Sequence, residues 1–185
     1  MNGGPISRKF KREGVIFHLV LWIACALLIL IKGDLLNRLT PIPIDLECVI
    51  ITTAYLLAYG REAGAGIFAL CQGLFTDILS GGIWGFHAIL YLTIFLFIKL
   101  LSRPFDMFSV SGQISLAFIA VLVKELLSVP LLYMFFQDID ISFDMFITFI
   151  LSAALSGLIA PLIFYFLNAL GRLFFGSKEE FLGTV

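Results

Sequence analysis

The chain has 185 residues, 61% hydrophobic and 15% aromatic, with only 14% charged and a mean hydropathy of +1.07. An average soluble domain is about 25% charged, so the composition excludes an ordinary soluble fold. A formal net charge of -1 without a large basic block leaves no footprint for nucleic acid.

Each helical crossing of the hydrocarbon takes about 20 apolar residues, so the length accommodates six spans in one bundle and no sizeable soluble domain. Residues 1–14 are a basic lead holding Arg8, Lys9, Lys11 and Arg12. The first span is predicted over Val15–Ile31; no small-residue cleavage site follows, so it reads as a membrane helix rather than a removed signal. Lys32–Asp45 is a connection, because Pro41 and Pro43 disfavour a helix interior. The second span runs from Leu46 to Tyr59, with Asp45 and Glu47 at its headgroup end. After the turn Gly60-Arg61-Glu62, the third covers Ala63–Leu79. Ser80-Gly81-Gly82 is so short that the fourth span, Ile83–Leu101, must lie antiparallel to the third. The fifth, Ile114–Phe136, carries Lys124, Glu125 and a kink at Pro130. The sixth, Phe143–Leu170, carries a kink at Pro161 and would rise about 42 Å, so it must tilt or bend. Residues 171–185 form a tail.

Positive residues near span ends stay cytoplasmic. With the N-terminus inside, Arg8, Lys9, Lys11, Arg12, Arg61, Lys99, Arg103, Arg172 and Lys178 fall on the inner side, while only Lys32 and Arg38 fall outside. Both termini are therefore expected in the cytoplasm. Cys25, Cys48 and Cys71 have no close-spaced ligand pattern and read as packed small apolar residues.

Ionisable groups within apolar spans are expensive and mark function by default. On a third-span helix Gly66, Leu70, Gly73 and Asp77 share a stripe, and the glycines admit a neighbouring helix closely. Asp77 lies at the outer end of that span and His87 at the same level of the next, so the two can meet across a hairpin turned at Gly81, Gly82 and Gly85. Three roles stay open for Asp77: locking the turn or capping the fourth helix, binding a partner or ligand, or relaying a proton or ion. Lys124 and Glu125 fall mid-span; adjacent on a helix, they point about 100° apart and are expected to find other partners. Gln72 is the nearest mid-span polar residue, so Gln72, Lys124 and Glu125 are expected to form an internal cluster. Ser152, Ser156, Gly157 and Ala160 form overlapping small-residue pairs, a close-packing face for an internal or external helix. The sequence offers no Walker loop, zinc-ligand spacing, nucleophile elbow or intramembrane His-Glu pair. It therefore reads as having no catalytic residue, no metal site and no cofactor.

Gly73-Leu74, Asp77, Ser80-Gly81, Gly85 and His87-Ala88 follow a GLxxD, glycine turn, G-x-H-A-L pattern, with Ile89 in the final position. In this stretch the chain resembles the rod-shape-determining MreD family of bacterial inner-membrane proteins. Gly82-Ile83-Trp84 and the Lys124-Glu125 pair lie outside that pattern. The resemblance implies a non-enzymatic scaffold subunit of the cell-elongation machinery, working with MreC, the actin-like MreB and the peptidoglycan synthases of the lateral wall. It also implies a fold similar to the substrate-capture subunits of energy-coupling-factor vitamin transporters. That similarity supplies the alternative, a small-molecule pocket lined by Asp77, His87 and Glu47. The AxxxA pair through which such subunits dock is not matched, because Ala24 and Ala26 are two apart.

Overall fold

A computed structural model describes residues 16–30, 46–81, 83–101, 106–135 and 142–175, which form six helices and no strand. They are α1, Ile16–Leu30; α2, Cys48–Ala58; α3, Glu62–Ser80; α4, Phe86–Leu101; α5, Val110–Phe135; and α6, Phe143–Phe175. The basic lead, the Lys32–Asp45 connection, Gly82, Arg103 and the residues beyond 175 lie outside the described residues. By length and apolarity α3, α5 and α6 can each cross a membrane, while α1, α2 and α4 are shorter apolar helices.

Local chemistry explains where the helices begin and end. At the end of α2, Gly60 adopts φ 70. Its amide donates to Leu57 O at 3.0 Å and that of Arg61 to Leu56 O at 3.1 Å, a paired closure of the last carbonyls that favours glycine. At the end of α3, Gly81 takes the left-handed conformation at φ 60, which any residue with a Cβ adopts at a cost. The fifth helix starts at Val110, earlier than Ile114, because Ser109 Oγ accepts the Gly112 amide at 3.1 Å and caps it. Both Pro130 and Pro161 sit inside continuous helices. The sixth helix continues past Leu170 to Phe175, with Arg172 in its last turn where a cation suits the helix dipole.

The centre of the bundle is α2. Nine of its 11 residues, Val49 through Leu57, are buried. It packs against α3, α4, α5 and α6, and Cys25 of α1 meets Thr52 Oγ1 at 3.4 Å. A helix that is apolar all round is stable only when enclosed. At about 16 Å, it can be shorter than the ~30 Å hydrocarbon thickness because protein, not lipid, surrounds it. Tyr55 OH donates to Leu167 O of α6 at 3.2 Å, satisfying its hydroxyl within the core. The outer face of the bundle is apolar: Ile67, Leu74 and Ile78 of α3, Leu92 and Leu96 of α4, and Leu158 and Leu162 of α6 are exposed. Of the three cysteines only Cys25 is fully buried; Cys48 is partly covered and Cys71 is exposed on α3, so the packed reading fails for Cys71.

Candidate functional site

The sharpest geometry lies where α3 turns into α4. Asp77, in the last turn of α3, is 2% exposed. Its Oδ1 accepts the His87 amide at 2.8 Å and lies 2.9 Å from His87 Nδ1. Its Oδ2 accepts the Gly85 amide at 3.0 Å and the Ala88 amide at 3.3 Å. A helix N-terminus leaves its first amides without intrahelical partners and carries partial positive charge. Asp77 supplies the missing acceptors from the preceding helix, so one carboxylate caps α4 and pins it to α3. Gly85 makes the approach possible with φ 90, a value that favours glycine. The geometry brings Asp77 together with His87 and with the first amides of α4, and the turn amide among its partners is that of Gly85.

The packing beneath the cap requires Gly73. A Cβ there would come within 2.5 Å of Ala88 Cα and 2.7 Å of Ala88 N, so the backbones touch at that level. Gly66, lower on the same face, would place a Cβ 3.3 Å from the tip of the Phe95 ring, a looser contact. Leu70 does not share that buried face; it is 40% exposed. The far end of the hairpin is tied by an exposed ion pair between Lys99 Nζ and Glu62 Oε2.

A second polar site lies in the core. Lys124 Nζ of α5 is 2.8 Å from Glu47 Oε1 and 3.0 Å from Glu125 Oε1. Tyr91 OH of α4 donates to Glu47 Oε2 at 3.3 Å, and the Glu47 amide donates to Ser156 Oγ of α6 at 3.2 Å. Ser128 Oγ donates to Glu125 O at 2.6 Å. Glu47, Tyr91, Lys124 and Ser156 thereby join α4, α5 and α6 to the entry of α2. Three expectations are corrected. Lys124 and Glu125 do pair, because the long lysine stem bends back across the 100° between them. Gln72 is not part of the cluster; its Nε2 donates to Trp22 O of α1 at 2.8 Å and ties α3 to α1 instead. Glu47 is not in the headgroups but 2% exposed in the interior, where the lysine compensates its charge.

Ser152, Ser156 and Ala160 are all buried. A Cβ on Gly157 would meet Ile114 O at 3.1 Å and Phe118 Cβ at 3.2 Å. The small-residue face of α6 is therefore an internal seam against α5 and α2. Sequence reasoning missed Tyr91 and gave Glu47 the wrong neighbours. Tyr91 could have been found one helical turn after His87 on the same face, and Glu47 as the lone acid heading an all-apolar segment.

The carboxylates counted for a small-molecule pocket, Asp77 and Glu47, are engaged with backbone amides and with Lys124 and Tyr91. No group of three or more His, Cys, Asp or Glu side chains able to hold a metal ion occurs among the described residues. Compared with known proteins, residues 15–170 match the family described as rod shape-determining protein MreD. No curated protein and no solved structure matches the chain.

Proposed function

The chain belongs to the MreD family of rod shape-determining proteins, and from that premise we propose that it is a non-enzymatic scaffold in the cytoplasmic membrane of a bacterium. Family membership places it in the determination of rod shape. In the proposed role it is a multi-pass subunit of the cell-elongation machinery that supports lateral-wall peptidoglycan synthesis. MreC is its direct partner, through that protein's membrane anchor, with MreB and the synthases in the same complex. The membrane domain spans 15–170 between the basic lead and the tail, and both termini face the cytoplasm, as the distribution of Lys and Arg indicates. We infer from the family resemblance, not from a structural match, a bundle of the same kind as the substrate-capture subunits named above.

One observation carries the reading: the Asp77 carboxylate is engaged by three backbone amides and an imidazole. A carboxylate so bound fixes the start of α4 against the end of α3 and so holds that surface in shape. Under this reading Gly73, Asp77, Gly81, Gly85 and His87 keep the hairpin rigid for docking, while Lys124 and Glu125 with Glu47, and the Ser152-to-Ala160 face, keep the bundle behind it in register.

The test is affinity capture of the full chain in mild detergent. The wild type is expected to recover MreC and wall synthases, and the Asp77→Ala variant to lose them. Recovery of a stoichiometric vitamin and an ATP-driven coupling module instead would overturn the scaffold role.

A further inference from the structure

The α3–α4 tip presents an unusual side chain for a solvated loop: Trp84 is 81% exposed. Its flanks are apolar and outward-facing, with Ile78 at 61%, Leu79 at 43% and Ile89 at 57% exposed. The tip also carries no free charge. Its two ionisable groups, Asp77 and His87, bond each other.

Helix length sets the depth. The 19 residues of α3 rise about 28 Å, close to the ~30 Å thickness of the hydrocarbon core. At the open end of the hairpin the Glu62 and Lys99 side chains are 58% and 44% exposed, which suits a charged pair only in the headgroup region of one leaflet. Counting up α3 from that level brings Ser80 to the opposite headgroup region, with Trp84 just beyond. An indole is suited to that layer because its ring is apolar and its N–H needs a polar partner. We propose that Trp84 seats in the headgroup layer of the bilayer and fixes the depth of the Asp77 cap, so the hairpin ends within the membrane interface instead of projecting into water. This holds whichever partner the bundle serves, because it rests on helix length and exposure alone.

The chain has two tryptophans, which makes the test direct. Trp22 packs its ring on Phe75 at 5.3 Å, and its Nε1 has no acceptor among the described residues, so Trp22→Phe removes no hydrogen bond. That variant, full length, is reconstituted into phosphatidylglycerol and phosphatidylethanolamine vesicles containing lipids brominated near the carbonyl end or near the methyl end of the acyl chains. Shallow bromines are expected to quench Trp84 about twofold more than deep ones, with little quenching by aqueous iodide. Iodide quenching with no bromine effect, or stronger quenching by deep bromines, would overturn the placement. If Trp22→Phe does not fold, the difference between wild-type and Trp84→Phe quenching reads the same quantity.

Discussion

Asp77 gathers three backbone amide donors and the His87 imidazole on two oxygens, and its removal leaves amides at the start of α4 without acceptors. Asp77→Ala is expected to destabilise the protein by about 3 kcal/mol, since hydrogen bonds to charged groups contribute ~1.5–3 kcal/mol each and are only partly replaced on truncation. Asp77→Asn keeps one acceptor oxygen and should lose about half as much, with the difference read by thermal unfolding in detergent. Lys124 poses a different problem, because it compensates two carboxylates. Lys124→Met should cost about 3–5 kcal/mol by stranding Glu47 and Glu125, whereas Glu125→Gln should cost about 1 kcal/mol because Lys124 stays with Glu47 at 2.8 Å. Equal losses from the two variants would show that Glu125 and not Glu47 holds the lysine. The meeting of Asp77 and His87 was legible from spacing, since both fall at one level of a hairpin with a minimal turn. The Glu47–Lys124 pair was not, because 77 positions separate the two and no local period links them.

Between elements, glycine tolerance grades the α3–α4 seam. Gly73→Ala forces a Cβ against the Ala88 backbone, which cannot yield, and should cost at least about 1–3 kcal/mol. Gly66→Ala meets only the end of the Phe95 ring, which can rotate, and should stay within about 1 kcal/mol. Parallel unfolding curves of the two variants check the ordering, and a more damaging Gly66→Ala would place the close approach at the wrong level. Helix existence was legible for every described element, because long apolar runs between turn signals leave little choice in a membrane. Two finer features were not. These are the Ser109 cap that starts α5 four residues before Ile114, and the burial of α2 within the bundle. A mostly apolar 11-residue segment reads the same whether lipid or protein covers it.

For the whole molecule, the membrane class and the family were written in composition and in the stretch from Gly73 to Ala88, while the arrangement around α2 required coordinates. Orientation is the property that the charge distribution addresses most directly. Reporter domains fused at either end are expected to report cytoplasmic locations for both, and a periplasmic signal at either one would reverse the assignment. Exchanging Arg61 and Lys99 for glutamine together removes two of the inward-retaining charges and should raise the fraction of inverted chains.

The enclosure of α2 has a consequence for biosynthesis. The ribosome delivers α2 before α3, α4, α5 and α6, the helices that wrap it, and Glu47 emerges long before Lys124 exists to neutralise it. A nascent chain stopped after α4 therefore holds an acid with no ammonium at membrane depth and a core helix bare on two sides. Such truncated products should be marked for proteolysis, and completion of α5 and then α6 should be the steps at which the newborn polypeptide becomes resistant.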